Sequence, residues 1–287
     1  MTNVLVTGAN GQLGSCIKDI SNNHPNINFT FTDYKTLDIC NEKAVIDFFN
    51  SHNPIHYCIN CAAYTAVDKA ELEVKKAKSI NELAVKNLAE ACKNKESVLI
   101  HVSTDFVFDG TQSIPYKESD ETNPTSVYGK TKLDGELALK KVLESYFIIR
   151  TSWLYSENGN NFFKTMLNLS KTKKELNVVF DQVGSPTYAG DLASFMLKLI
   201  EESRNKYGIY HYSNEGVASW YDFTKAIFEE KGIKIKVNAI KSEAFKSKVK
   251  RPNFSVFDKT KIKETFSICT PYWRDSLKKA IEKYDEN

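Results

Sequence analysis

Short runs of β-branched and other apolar residues alternate with amphipathic stretches of helical period through the first half of the chain. The apolar runs cover Asn3–Thr7, Asn28–Thr32, Ile55–Cys61, Val98–Ser103 and Tyr146–Arg150. Strands that alternate with helices in this way form a parallel sheet with helices on both faces. The pattern therefore predicts an α/β protein with a doubly wound parallel sheet.

The pattern loosens after Thr151, where asparagine and glycine become frequent. It predicts a strand at Leu176–Phe180, a helix at Ala189–Glu201 and a further strand at Gly208–Tyr212. We expect the last of these strands to rejoin the main sheet.

The length of 287 residues is enough for a second, smaller core beside the main one. We expect the larger domain to comprise residues 1–152 and 188–214. Residues 153–187 and 215–287 would then form a smaller α/β lobe over the strand ends.

The charge pattern does not indicate a polymer partner. The net charge is only +3, and the clusters at Lys171–Lys174 and Lys241–Lys250 have the character of solvated surface, without a groove-reading motif. No uncharged apolar run reaches membrane-spanning length, and the chain enters a strand within three residues of its start. We therefore expect a cytoplasmic protein that binds neither nucleic acid nor membrane.

The six cysteines do not form a recognisable metal or disulfide pattern. Cys58 and Cys61 have a two-residue gap, but no second pair matches them, and both lie in an apolar run that predicts a buried strand. Side chains alternate in direction along a strand, which would separate the two thiols. A reduced, structural role is favoured over a metal site or a disulfide.

Three glycines, Gly8, Gly11 and Gly14, directly follow the first predicted strand and open an amphipathic helix. Glycine lets the backbone turn tightly and approach a pyrophosphate, which the free amides and dipole of a helix N-terminus then bind. The strand–turn–helix context predicts a dinucleotide site of Rossmann type. Its turn would also contribute three neighbouring residues, Asn10, Gln12 and Leu13.

Further cofactor contacts are expected where the second and third strands end. Asp33 lies about 20 residues beyond the glycines, where an acid accepts hydrogen bonds from the adenosine ribose. Its charge would repel a 2′-phosphate and favour NADH over NADPH, although Lys35 could offset this repulsion. The remaining walls of the adenine and ribose site would be Asp38, Ile39, Ala62, Ala63 and Tyr64.

Tyr128 and Lys132 form a Tyr-x-x-x-Lys pair, which places a phenol and an ammonium on one face of a helix. The pKa of free tyrosine is about 10, so a nearby cation and an oxidised nicotinamide are needed to favour phenolate. Thr104 follows the fourth strand at the same sheet edge as the glycines and could bind a substrate oxygen. This constellation predicts a carbonyl reductase.

The helix that carries the pair should begin soon after Pro124. Leu133 and Leu137 would then give it a buried face.

Four longer stretches make the chain similar to the dTDP-4-dehydrorhamnose reductase family, within the extended short-chain dehydrogenases/reductases. The resemblance covers essentially the whole chain, and it is carried by Ile59–Glu71, Ser103–Gly110, Asp181–Thr187 and Arg251–Ser255. It implies reduction of dTDP-4-dehydro-β-L-rhamnose to dTDP-β-L-rhamnose by NADPH or NADH, the last step in making this activated sugar for cell-surface polysaccharide.

The resemblance also implies roles for individual residues. Thr104, Tyr128 and Lys132 would carry catalysis with support from Asp105. Substrate contacts would come from Thr104, Tyr128 and four further residues, Val67, Phe106, Trp153 and Arg251. An aromatic ring suits a pyranose face, and an arginine suits a diphosphate.

The chain departs from the family pattern at two places. Phe106 stands where many members have tyrosine, so a hydrogen bond from that hydroxyl is replaced by packing. Some relatives dimerise through a metal held by glutamates, whereas this chain has Ser15 and Gly190 at the corresponding positions. We therefore expect no metal and a monomer or weak homodimer.

Two alternatives remain open from the sequence. A sugar-nucleotide epimerase or dehydratase uses the same Tyr and Lys but regenerates its cofactor, so that no net nicotinamide is consumed. A non-catalytic regulatory subunit, such as one resembling the β chain of methionine adenosyltransferase, would bind a partner enzyme without turnover.

Overall fold

A computed structural model describes residues 1–202, 205–245 and 249–286. Its strands are β1 Thr2–Thr7, β2 Ile27–Thr32, β3 Tyr57–Asn60, β4 Val98–Thr104, β5 Tyr146–Thr151, β6 Leu154–Tyr155, β7 Glu175–Val179, β8 Val183–Gly184, β9 Thr187–Tyr188, β10 Gly208–Tyr212, β11 Ala218–Ser219, β12 Lys236–Ile240 and β13 Phe254–Ser255. Its α-helices are α1 Gln12–Ile20, α2 Glu42–Ser51, α3 Val67–Ala70, α4 Val74–Lys78, α5 Ala84–Asn94, α6 Val127–Val142, α7 Phe162–Ser170, α8 Ala189–Glu201, α9 Trp220–Glu230, α10 Thr260–Phe266 and α11 Trp273–Glu286.

The main sheet is parallel throughout, with the strand order β10-β5-β4-β3-β1-β2. The fold class and the return of Gly208–Tyr212 to this sheet are as predicted. The chain leaves β1 toward one edge and returns at β3 on its other side. Ligands of such sheets bind in the crevice outside the carboxyl ends of the strands where the order reverses. That crevice lies between the ends of β1 and β3.

Alternation of side chains along the strands builds a core on each face of the sheet. On β1, Val4 and Val6 pack with α1 and α8 on one face, whereas Leu5 points to α2, α5 and α6 on the other. Each buried branched side chain of this kind contributes about 1.5–3 kcal/mol. The two cores fix the strand ends that carry the polar residues described below.

The segments outside the main sheet form small sheets of their own. Strand β7 pairs with β12, β6 pairs with β9, and β8 lies between β11 and β13. A separate apolar cluster lies beneath them and includes Phe163, Phe223, Trp273 and Leu277. Three residues of the predicted Lys241–Lys250 cluster, 246–248, lie outside the described residues.

Helix α6 begins at Val127, capped by the Ser126 side chain, which accepts a hydrogen bond from the Gly129 amide at 3.1 Å. The prediction that Leu133 and Leu137 form a buried face of α6 is wrong for Leu137, which is 52% exposed. Leu133 is half-buried. Polar side chains occupy the buried face instead, because strands β4 and β5 supply partners for them. Within the described ranges, no helix is both long and apolar enough to cross a membrane.

Candidate active site

The turn after β1 fits a dinucleotide phosphate because nothing larger than hydrogen can stand at two of its glycines, Gly8 and Gly14. Gly8 has φ +66°, and a Cβ built on it would lie 2.6 Å from the backbone nitrogen of Ala62. A Cβ at Gly14 would lie 2.6 Å from the Cα of Ala9. Helix α1 has Gly11 at its N-cap without a side-chain cap, so its first amides remain available to an anion.

The other predicted residues of this turn divide between core and surface. The Leu13 side chain is buried among apolar residues, so only its backbone can face a ligand. The Gln12 carboxamide accepts a hydrogen bond from Asn161 at 2.9 Å. Asn10 donates to an Asp33 carboxylate oxygen at 2.6 Å, which joins the glycine turn to the end of β2.

Asp33 is held by its own loop as well as by Asn10. One of its carboxylate oxygens accepts hydrogen bonds from the Thr36 amide and hydroxyl and from the Lys35 amide. These bonds, led by that of the Thr36 backbone, lower the pKa of Asp33. The carboxylate is therefore a fixed negative charge beside the turn.

The other predicted cofactor residues follow β2 and β3. Asp38 accepts a hydrogen bond from the Cys40 amide, and the Ile39 side chain is in the core. Ala62 lies against Gly8, and Ala63 follows it on the same loop. Tyr64 is buried and donates to Glu73 at 3.1 Å.

The structure brings together three of the four predicted catalytic residues, Thr104, Asp105 and Tyr128. The Thr104 hydroxyl donates to Asp105 at 3.0 Å, and Thr104 is also hydrogen-bonded to the phenol of the half-buried Tyr128. Burial raises the pKa of Asp105 to about 6, although bonds from Ser255 and Thr104 oppose the shift.

Burial also raises the pKa of Tyr128 to about 12; the hydrogen bond with Thr104 opposes this shift, and the Asp105 charge adds to it. The expected lowering by Lys132 is not seen, so the amine alone does not offset desolvation of the phenolate. At neutral pH the phenol is protonated and can act as an acid.

Lys132 is 2% exposed, one turn along α6 from Tyr128. Its Nζ donates to the carbonyl oxygen of Val102 at 2.7 Å and lies 3.4 Å from Nε2 of His101. Burial lowers the pKa of Lys132 to about 8, and the nearby charge of Glu136 opposes that shift. The amine therefore changes charge near the physiological range.

One of the remaining predicted substrate residues, Phe106, contacts Tyr128. The Phe106 ring meets the Tyr128 ring edge-on, with centroids 5.4 Å apart. Val67 is half-buried at the start of α3. Arg251, expected to bind a diphosphate, donates to Asp68 on the same helix at 2.8 Å and keeps 31% of its side chain exposed.

Trp153 stacks face to face on Trp220, with centroids 3.4 Å apart and planes at 3°. Its backbone has φ +49°, and its indole packs on Gly184, where a Cβ would lie 2.6 Å from the ring. Gln182 accepts a hydrogen bond from the Trp220 indole nitrogen at 3.2 Å. The expected single ring is thus one of two stacked tryptophans.

Sequence reasoning missed the residues that surround Lys132 and Trp153. His101 and Glu136 are fully buried, and Arg150 grips Glu136 with two nitrogens at 3.0 and 2.7 Å. A histidine inside the apolar run Val98–Ser103 was a visible signal for this network. Trp220 gave no comparable signal, because it meets Trp153 only in three dimensions.

Two of the stretches that carried the family resemblance also pack on each other. Gly110 has φ +74°, and a Cβ there would lie 2.5 Å from the side chain of Pro252. The segment after Thr104 therefore fixes the position of the segment that carries Arg251.

Comparison with known proteins gives one consistent result. Residues 1–286 match the family described as RmlD substrate binding domain. The dTDP-4-dehydrorhamnose reductase of Aggregatibacter actinomycetemcomitans is 43% identical over 97% of this chain and 98% of its own.

Two solved structures agree. The structure of a dTDP-4-dehydrorhamnose reductase from Clostridium acetobutylicum has 45% identity and a TM-score of 0.95, covering 99% of this chain and all of its own. That of the Bacillus anthracis reductase, solved in complex with NADP, has 38% identity, a TM-score of 0.94 and the same coverage.

Proposed function

The chain belongs to the RmlD substrate binding domain family, and dTDP-4-dehydrorhamnose reductases are among its relatives. We propose a role in this reaction for each residue of the candidate site. The protein is an oxidoreductase that reduces dTDP-4-dehydro-β-L-rhamnose to dTDP-β-L-rhamnose with NADPH or NADH. The observation that carries the assignment of roles is the Tyr128 phenol, half-buried and hydrogen-bonded to Thr104 at the carboxyl edge of the sheet.

The glycine turn at Gly8–Gly14 holds the pyrophosphate, and Asn10 with Asp33 holds the adenosine ribose. Tyr128 and Lys132 at the start of α6, together with the loop at Ala62–Tyr64, complete the cofactor site, and Lys132 holds the nicotinamide ribose. When bound, the reduced nicotinamide supplies the hydride to the keto carbon.

Tyr128 donates its proton to the carbonyl oxygen of the sugar, because its raised pKa keeps it protonated until the oxygen becomes basic. Thr104 donates a hydrogen bond to the same oxygen. Before substrate binds, Asp105 orients Thr104 by accepting a hydrogen bond from its hydroxyl. Trp153, supported by Trp220, packs on the sugar ring. Phe106 and Val67 close the pocket, and Arg251 turns from Asp68 to the diphosphate.

The arrangement of strands supports the expected domains. Strands of the main sheet come from residues 1–152 and 188–214, which we assign to the dinucleotide. The small sheets come mostly from residues 153–187 and 215–287, which we assign to the sugar nucleotide.

The protein works in the cytoplasm as a monomer or weak homodimer without a bridging metal. All six cysteines are free, as a reducing compartment maintains them. Ser15 and Gly190 supply no carboxylate, and a Cβ at Gly190 would lie 2.5 Å from the Tyr188 ring.

The test of the reaction is stoichiometry. The enzyme is mixed with NADPH or NADH and with dTDP-, UDP- or GDP-linked 4-keto sugars, and nicotinamide oxidation is compared with product formed. We expect one nicotinamide per product, and the dTDP sugar as the best substrate. Product without net nicotinamide oxidation would indicate an epimerase or dehydratase, and binding of a partner enzyme without turnover would indicate a regulatory subunit.

The charge at Asp33 should set the balance between the two cofactors. We expect Asp33→Asn to raise the ratio of kcat/KM for NADPH to that for NADH by about tenfold, because the repulsion between the carboxylate and the 2′-phosphate is removed. Steady-state kinetics with each cofactor measure the ratio. Lys35→Gln is the matched control and should move the ratio the other way; an unchanged ratio in both variants contradicts the role of Asp33.

A further inference from the structure

A buried chain of hydrogen bonds leads from β1 to Lys132, and its directions are fixed at one end. The side-chain oxygen of Asn60 accepts from the backbone N–H of Ala62 at 3.2 Å and from the Thr7 hydroxyl at 2.7 Å. A backbone N–H can only donate, so the atom it meets must be the oxygen of the carboxamide. The NH₂ of Asn60 then points to His101.

That orientation determines the tautomer of His101. The Asn60 NH₂ lies 3.1 Å from Nδ1 of His101, and since the amide nitrogen has no lone pair to offer, Nδ1 must be the acceptor. Full burial lowers the pKa of His101 well below its usual value, with the charge of Lys132 acting in the same direction. His101 is therefore neutral, with its proton on Nε2.

The proton on Nε2 faces Nζ of Lys132 at 3.4 Å. A charged ammonium has no lone pair, so in that state two donors oppose each other across this distance. A neutral amine has one lone pair, which can accept from Nε2–H while an amine N–H still donates to Val102 at 2.7 Å. His101 thus favours the neutral amine over the ammonium.

The charged groups around Lys132 do not cancel this preference. Glu136, one turn along α6, is occupied by two nitrogens of Arg150 from β5 and by the Ser103 hydroxyl from β4. On the other side, Tyr128 of α6 is a neutral phenol, and Asp105 in the turn after β4 bonds to Thr104. The third strand contributes only the uncharged Asn60.

We propose that His101 is a positioning residue that stabilises the neutral amine of Lys132, so that Lys132 releases a proton more readily during each turnover. The proposal rests on the proposed reductase function. The Tyr128 O–H bond breaks as its proton goes to the sugar oxygen. A proton released as an N–H bond of Lys132 breaks then replaces the one that Tyr128 has lost, and the Tyr128 O–H bond re-forms. The neutral amine accepts a hydrogen bond from Nε2–H of His101 until it takes a proton from water.

The first test needs no substrate. Nitrogen-15 NMR of the histidine rings is recorded on the protein alone, and His101 is identified by the signal lost in His101→Gln. We expect a protonated Nε2 and an unprotonated Nδ1 throughout the pH range in which the protein is folded. A proton on Nδ1, or on both nitrogens near neutral pH, overturns the proposal even if the enzyme proves to be a reductase.

The second test is the pH dependence of kcat for reduction. Activity requires the ammonium, so kcat falls as pH rises through the pKa of Lys132. This fall is the basic limb of the pH profile. Because His101→Phe removes the Nε2–H donor, it should move the basic limb upward by about one pH unit. Asn60→Asp should do the same, because a carboxylate draws the ring proton to Nδ1 and leaves Nε2 as an acceptor for the ammonium.

Two further variants separate this role from a structural one. His101→Gln keeps an N–H donor near Nζ and should restore the basic limb to its wild-type position. Thr7→Val removes one donor to Asn60 but leaves the Ala62 amide, and it should leave the limb unmoved. If kcat falls at the wild-type pH in both His101→Phe and Asn60→Asp, the proposal is overturned. If neither the wild type nor any variant turns over, the reductase function is refuted, and the NMR result alone decides the tautomer.

Discussion

Tyr128→Phe should lower kcat for reduction of the 4-keto sugar by about 10²–10⁴-fold, the usual contribution of a general acid. Burial holds the pKa of this phenol at about 12, so at pH 7 it carries the proton that the sugar oxygen needs. The ring remains in the variant, and so does its edge contact with Phe106. We therefore expect KM and cofactor binding to change little. Stopped-flow oxidation of NADPH and NADH measures the effect.

Tyr207→Phe is the matched control, because its hydroxyl bonds only to the neighbouring Asn205 at 3.2 Å among the contacts described. It should retain wild-type kcat. Tyr128→Phe with near-normal turnover would show that another group protonates the sugar and would remove the catalytic assignment.

Arg150→Met should destabilise the protein by about 3–5 kcal/mol, because it leaves the Glu136 carboxylate buried without its cation. The two side chains are 3% and 1% exposed, and the guanidinium contacts both carboxylate oxygens. The Ser103 hydroxyl also donates to Glu136, but one neutral donor cannot replace a bidentate cation. Urea unfolding followed by circular dichroism gives the free energy of unfolding.

Lys43→Met breaks an exposed pair on α2, whose side chains are 84% and 60% exposed, and should cost no more than about 0.5 kcal/mol. The double variant Arg150→Met with Glu136→Leu should recover much of the lost stability, since a buried pair replaced by apolar side chains is often tolerated. A loss below about 1 kcal/mol in Arg150→Met alone would contradict this account of the pair.

The main sheet could be predicted because its information is local. Strand and helix periods along the chain predicted Gly208–Tyr212 and Ala189–Glu201 with the bounds that the structure has. Strand ends were off by one or two residues, as at Ile55–Cys61, where the strand is Tyr57–Asn60. The glycine turn could also be predicted, since its position between a strand and a helix is itself a local feature.

The surroundings of the active site depend on contacts between distant segments, which no local pattern carries. Leu137 was expected in the core, but α6 buries Lys132 and Glu136 because His101 and Arg150 meet them from other strands. The effect of burial on the pKa of Tyr128 could not be predicted for the same reason. The Tyr-x-x-x-Lys spacing predicted that the Lys132 amine lies one helical turn from Tyr128. The burial of the two side chains depends on how α6 packs on the strands.

The left-handed backbone at Trp153 governs how the lobe is joined to the sheet. This conformation costs a non-glycine residue about 1–2 kcal/mol. At Trp153, contacts of the side chain with the stacked Trp220 and the close Gly184 stabilise it. The residue directly links β5 of the main sheet to β6 of the lobe. The residue that directly follows β5 is therefore held in place by segments outside the main sheet, those that carry Gly184 and Trp220.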